Sequence, residues 1–182
     1  MALAAYALPF GLRDVLLTPY ASDTTTENAA GKKDLPAART FSFAETEEFS
    51  TLEGDDTTIA AHGAGPTVEW ELESGGISID VWKILAGGTD AQTGITPAIK
   101  RTYTKLTTDA RPYFKCEGQA ISDSGGDMHG VVYRCKADGD LEAEMANGEF
   151  TLTAASGKGY GQTLTPFKLY EWVHNETAVA ST

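Results

Sequence analysis

Residues 34–88 read DLPAARTFSFAETEEFSTLEGDDTTIAAHGAGPTVEWELESGGISIDVWKILAGG, and the fold class follows from how their apolar residues are spaced. Val68, Trp70 and Leu72 alternate without a slip against Glu69, Glu71 and Glu73, which is the period-two pattern of a strand with one face in a core. The other face carries three carboxylates in a row, roughly 7 Å apart along the strand. Such a row repels itself unless it meets water or cations across the sheet. Upstream, Phe41 and Phe43 alternate with Thr40, Ser42 and Ala44 in a second strand. Thr57 to His62 reads as a third, with a turn from Gly63 to Pro66.

Between these strands, the segment from Glu45 to Asp56 turns acidic and reads as a long loop. Its large apolar residues, Phe49 and Leu52, lie three apart, as on a helical turn or a folded loop. They either dock onto a neighbouring surface or tuck beneath their own loop. After Ser74-Gly75-Gly76, residues Ile77, Val81, Ile84 and Leu85 fall at helical spacing, and Gly87 is placed to end that helix with a positive φ. Trp82 then stands on the flank of the buried stripe, available for packing or for a neighbouring subunit.

Outside this region the period also stays near two. Residues 10–18 predict a first strand, and 22–34 a polar loop. In the second half, strands are expected at about 99–107, 112–121, 130–137, 141–146, 149–154 and 164–174. The turn signals between them include Ser124-Gly125-Gly126-Asp127, Asp138-Gly139 and Asn147-Gly148. Gly157-Lys158-Gly159-Tyr160-Gly161 reads as a linker into the last strand, since it lacks phosphate-loop spacing. The expected fold is mainly β, an antiparallel sandwich or barrel with one flanking α-helix.

The chain has 182 residues, of which 41% are hydrophobic, enough for one well-buried core and short for two. A single domain over residues 1–182 is expected, with an N-terminal arm at about 1–9 and long loops at about 20–35 and 45–58. No apolar run approaches the ~20 residues of a membrane-spanning helix. The opening MALAAYALPFGL has no Lys or Arg ahead of its apolar run, so an ordered arm in a protein made in a cytoplasm is expected rather than a secretory signal. Cys116 and Cys135 each sit in a strand-like stretch, where they serve as small packing residues or, if opposed on paired strands, form a disulfide.

With 26 acidic against 14 basic residues the formal net charge is −12, which argues against nucleic acid as a bound ligand. Enzyme signatures are sparse. Asp123-Ser124-Gly125 matches the aspartic-protease triplet, but followed by Gly126-Asp127 it has the composition of a hairpin tip. His62, His129 and His174 lie far apart in sequence, in no metal-pair or nucleophile-elbow motif. Neither a cofactor nor a catalytic set is expected.

The run of Phe41 to Phe49 (FSFAETEEF), followed by Val68 to Ser78 (VEWELESGGIS) and a Lys83 to Gly88 end (KILAGG), resembles the major tail protein, or tail tube protein, of long-tailed non-contractile bacteriophages, particularly those infecting actinobacteria. The resemblance covers roughly a third of the chain. It implies a structural virion protein, a sandwich with a flanking helix, of which six copies join their inner sheets into a ring. Rings would stack around a tape-measure protein, with tail terminator and tail-tip proteins as further partners. The assembly would form in the host cytoplasm and reside in the virion tail, where DNA passes without specific binding. Glu69, Glu71 and Glu73 become candidates for the lumen, because an acidic wall repels DNA over about 8 Å at physiological salt. Phe49, Leu52 and Trp82 become candidates for contacts between subunits. The competing expectation is a non-catalytic binding module, a carbohydrate-binding sandwich or a capsid decoration protein, with Tyr160, Tyr170 and Trp172 as its available aromatic platform.

Overall fold

The structure, a computed structural model, describes residues 6–21, 25–54 and 57–181. The first half contains β1 (Pro9–Pro19), β2 (Lys33–Asp34), β3 (Ala38–Thr46), β4 (Phe49–Gly54), β5 (Thr57–Gly63), β6 (Thr67–Gly75) and α1 (Ile79–Ala86). The second half contains β7 (Thr89–Thr93), β8 (Lys100–Thr104), β9 (Phe114–Ser122), β10 (Asp127–Lys136), β11 (Leu141–Glu144), β12 (Leu152–Gly159) and β13 (Tyr170–Asn175).

One hydrogen-bonded path runs β2-β1-β9-β10-β12-β6-β3, with β13 added to β10 and β11 to β12. This path folds over at β10. Asp127 to Val132 pair with β9 on one side and β13 on the other, whereas Cys135 and Lys136 pair with Gly159 and Lys158 of β12. Between these two stretches the register against β9 slips, and Arg134 sits at φ 48°, a bulge that bends the strand from one layer into the next. The result is a sandwich of two antiparallel layers, β2-β1-β9-β10-β13 and β3-β6-β12-β11. The layers approach closely where glycines allow it. Phe41 lies on Gly118 and Phe43 on Gly130, and a Cβ at those glycines would come within 2.4 and 2.9 Å of the rings.

The core between the layers takes Val15, Leu17, Phe114, Cys116 and Val132 from one side and Val68, Trp70, Leu72 and Ala155 from the other. Trp70 is 1% exposed and meets Phe114 edge-on at 5.4 Å. Its burial alone is worth on the order of 5 kcal/mol before conformational entropy is charged. Cys116 and Cys135 are free thiols buried in this core, and burial pushes both well above the ordinary thiol value. They are packing residues here.

Helix α1 lies against β1 and β2 and buries Val81, Ile84, Leu85 and Ala86. Ser78 caps its start by accepting from the Val81 amide at 3.4 Å, with Asp80 in the first turn. Gly87 closes it at φ 77°, donating to the Lys83 carbonyl. Ile77 is not part of the stripe; it precedes the helix and stays 43% exposed.

The largest departure from the sequence reading is at residues 45–58. The expected acidic loop is instead the end of β3 followed by β4, which pairs with β5, the strand expected from Thr57 to His62. Pairing decides this. β5 supplies Thr57, Thr58 and Ile59 opposite the Phe49 to Gly54 stretch, a cross-strand stabilisation invisible within β4 alone. β8 falls within the strand expected at 99–107, whereas its partner β7 is not anticipated, because Thr-Asp-Ala-Gln-Thr carries no apolar alternation. The expected 149–154 strand lies at Leu152–Gly159, so Gly157 to Gly159 are strand rather than linker. The last strand is confined to Tyr170–Asn175. Asn147-Gly148 falls within a longer connection spanning 145–151, and Asp138-Gly139 joins β10 to β11, which do not pair.

Candidate functional site

The β3-β6-β12-β11 layer turns its outer face to solvent, and that face is acidic. Val68, Trp70, Leu72 and Ser74 of β6 are buried, which sends Glu69, Glu71 and Glu73 outward. Glu69 lies between Ala44 and Lys158 on the flanking strands, Glu71 between Ser42 and Ser156, and Glu73 between Thr40 and Ala154. β11 adds Glu142 and Glu144 opposite Ala154 and Leu152, on the same face. Arg39 pairs with Glu73 at 2.9 Å, and Lys158 is the cation beside Glu69. Among the described residues neither Glu69 nor Glu71 takes part in an ion pair. Both remain open to solvent. A shallow cleft of about 260 Å³ between β3, β6 and β11 gathers Glu71, Glu73, Asp140 and Glu142.

The same β3 and β6 continue past the sandwich as β4 and β5, after short breaks at 47–48 and 64–66. A Thr46–Thr67 hydroxyl contact at 3.1 Å marks the junction. Among the described residues β4 and β5 pair only with each other, so the hairpin projects as an arm about 20 Å long at ~3.4 Å per residue. Phe49, Leu52 and Ile59 are 63%, 62% and 65% exposed on it. Phe49 and Leu52 thus lie on opposite faces of a ribbon and do not tuck beneath their own segment. An isolated two-stranded ribbon is marginal in water, which makes this arm the part of the fold most in need of a partner.

Trp82, by contrast, is taken up within its own chain. It lies 6.4 Å from the Tyr103 ring, and the β7–β8 hairpin is fixed against α1 around it. Arg101 bridges Asp80 and Asp90, Lys83 reaches Asp90 at 2.7 Å, and the Tyr103 hydroxyl donates to the Gly87 carbonyl. The Lys83 and Arg101 hydrogen bonds bring Asp90 down to about 2. The aromatic residues proposed as a platform divide. Tyr160 packs edge-on against Tyr113, whereas Tyr170 and Trp172 surround Phe43 at 5.7 and 4.9 Å. Trp172 remains 58% exposed at the rim of an apolar cleft of about 390 Å³ between the layers, lined also by Leu12, Phe41 and Met128.

Sequence reasoning missed a buried polar cluster on the outer face of the other layer. Asp127, expected in a turn, is the first residue of β10 and fully buried. His129 lies two residues on, with Nε2 2.9 Å from Asp127 and Nδ1 2.9 Å from Glu117 of β9. Gln119 donates to Asp127 at 2.6 Å and to the Val179 carbonyl at 2.8 Å. Asn175 and the Val179 amide donate to Asp127 as well, so the segment after β13 covers the cluster. Burial by itself would raise the Asp127 carboxyl and lower the His129 imidazole. These hydrogen bonds outweigh it, holding Asp127 well below the usual carboxylate range and raising His129. The available signal was the pair of alternations Glu117-x-Gln119 and Asp127-x-His129, which places four polar side chains on one face of adjacent strands.

The Asp123-Ser124-Gly125 triplet occupies the β9–β10 turn, where the Asp123 amide donates to the Leu8 carbonyl. Residues 1–5 of the expected arm lie outside the described residues; Leu8 is fastened to Ser122. Among the described residues no helix is long and apolar enough to cross a membrane. No family model matches the chain, and no curated protein matches it.

Proposed function

We propose that the chain is a structural subunit of a bacteriophage tail tube, polymerising as stacked six-membered rings whose bore carries DNA during ejection. The observation that carries this reading is the β3-β6-β12-β11 layer, which combines a solvent-facing row of carboxylates with edges on β3 and β11 that are unpaired among the described residues. An open edge offers N–H and C=O groups to a neighbour, and closing a ring of such sheets removes every edge. Six copies, the number the resemblance implies, give a barrel of about 24 strands. At ~4.8 Å between strands and a tilt near 40°, its backbone diameter is about 48 Å. Side chains on the inner face leave a bore near 38 Å, wide enough for a duplex held off the wall by Glu69, Glu71 and Glu73.

The projecting β4–β5 arm supplies contact between successive rings, with Phe49, Leu52 and Ile59 as its anchors. Tape-measure, terminator and tail-tip proteins are partners on the same reading, and the virion tail is the site of action. The test is sedimentation over a concentration series of the native chain and of Phe49→Ser/Leu52→Ser. The native chain should form high-mass species above a threshold concentration, and the variant should keep the native melting point but lose them. Equal polymerisation by both would remove the arm from the assembly.

A second reading has one specific observation behind it. Trp172 presents an exposed ring face beside an apolar cleft, as a glycan-binding module would. It predicts a chain that stays monomeric and whose Trp172 fluorescence changes on titration with oligosaccharides.

A further inference from the structure

β9 and β10 run on past the free edge of β3. Cys116 and Val132 lie in the core, Gly118 and Gly130 lie beneath Phe41 and Phe43, and Ala120 and Met128 lie beyond them in the apolar cleft of about 390 Å³. The floor of that cleft is therefore the inner face of one layer where the other layer stops. Its wall is the outer edge of β3, whose N–H and C=O groups are unpaired among the described residues. Floor and edge together suit an extended strand, paired with β3 and lying over Met128 and Trp172.

β11, at the other end of the β3-β6-β12-β11 layer, has the complementary form. Leu141 and Ala143 lie opposite Ala155 and Thr153, which are 4% and 1% exposed, so both face inward. Yet Leu141 is only half-buried and Ala143 is exposed, and Met145 just past the strand is 79% exposed. Strand direction agrees as well. Each neighbouring pair in this layer is antiparallel, so β3 and β11 run in opposite senses, and a second copy in the same orientation brings its β11 antiparallel to β3.

Charge selects that junction over the alternatives. On the solvent-facing side β3 presents Thr40, Ser42 and Ala44, and β6 presents Glu69, Glu71 and Glu73. β12 then presents Ala154, Ser156 and Lys158, and β11 presents Glu142 and Glu144. Carboxylate-free and acidic strands thus alternate, and the strand that continues the series after β11 is one like β3. β11 against a second β11 would set carboxylates opposite carboxylates, which destabilises a sheet. β3 against a second β3 would leave β11 open. We propose that the Trp172 cleft is the seat for β11 of a second copy, which pairs antiparallel with β3, lays Leu141 and Ala143 over the cleft floor, and sets Glu142 and Glu144 beside Thr40, Ser42 and Ala44. Such a head-to-tail contact closes into a ring or runs on as a filament. This inference rests on the tail tube reading and gives its lateral contact a specific pairing.

The test uses full-length chains at a concentration where high-mass species form. One population carries Glu142→Cys; a second, made heavier by a tag, carries Thr40→Cys, Ser42→Cys or Ala44→Cys. All four positions are exposed, whereas the native thiols are 0% exposed. A short bis-maleimide should link the two populations through at least one β3 position, with a yield roughly fivefold above Glu142→Cys self-links, because opposed Cβ atoms lie only about 5 Å apart in a paired sheet. Acrylamide quenching of tryptophan should fall about twofold on assembly, since Trp172 is the most exposed of the three indoles and its ring becomes covered. High-mass species in which Glu142→Cys links only to itself, or in which Trp172 stays fully quenchable, would overturn the inference and leave the tail tube reading standing. A chain that never assembles would overturn both, and protection of Trp172 by added oligosaccharide would then assign the cleft to a glycan.

Discussion

Replacing Gly157 by alanine tests the place where the two layers are joined. A Cβ there would stand 2.1 Å from the Lys136 carbonyl oxygen, 2.7 Å from the Trp70 ring and 2.8 Å from the Ala137 Cα. Two of these three neighbours are backbone, and the third is the largest of the fully buried side chains. To reach an ordinary contact the Lys136 carbonyl must retreat by about 1.3 Å, which pulls β12 from β10 where Cys135 and Lys136 pair with Gly159 and Lys158. Overpacking of this kind costs ~1–3 kcal/mol, and weakening one or two backbone hydrogen bonds adds ~1 kcal/mol. A total near 3 kcal/mol lowers the melting midpoint by roughly 6–12 °C in a chain of this size. Gly161, in the same Gly-Lys-Gly-Tyr-Gly run, is the internal control, because its Cβ would meet only the Phe167 carbonyl at 3.8 Å. Thermal melts followed by circular dichroism should separate Gly157→Ala from Gly161→Ala by at least about 6 °C, the lower end of that range. Equal midpoints would refute the junction and restore these residues to a linker.

Reversing Glu69, Glu71 and Glu73 to Lys should shift stability by no more than about 1 kcal/mol, since the side chains sit on a wet face, while tails assembled with the variant should fail in DNA delivery; normal infectivity would remove the lumen assignment. Asp127→Asn should cost about 3–5 kcal/mol at neutral pH, read as a lowered urea midpoint, because it uncouples a buried charged cluster. The Asp127 carboxyl is depressed on folding, so its contribution is present above the ordinary value near 3.9 and fades as pH falls below it. Urea midpoints between pH 2 and 5 should accordingly flatten in the variant. Phe43→Ala should cost about 3 kcal/mol and alter Trp172 emission, since it removes the ring that stacks on Trp172 at 4.9 Å.

What the sequence made legible was set by how directly each face meets water. β6 has one face in the core and one in solvent, so its alternation is clean and Glu69, Glu71 and Glu73 could be assigned to the outer side from the letters alone. α1 was equally readable from Val81, Ile84, Leu85 and the closing Gly87. β10 was misread at its start because its outer face is covered by the segment after β13. Asp127 and His129 are buried there, and Ser124-Gly125-Gly126-Asp127 looked like turn throughout. The β4–β5 arm is half legible for a different reason, since Thr57 to His62 reads as a strand by itself whereas Phe49–Gly54 takes its strand character from pairing with it. Gly157 and Gly159 looked flexible in isolation, yet each sits where neighbouring atoms leave no room for a Cβ. Close approach between layers is a property of the fold, and a glycine carries no local mark of it.

The most direct measurement of the tail tube reading is electron cryomicroscopy of the concentrated protein. The account predicts hollow tubes of stacked six-fold rings, a bore near 38 Å on the barrel geometry above, and Glu69, Glu71 and Glu73 on its wall. A persistent monomer, a small closed oligomer, or a tube lined by the β9–β10 layer instead would contradict it.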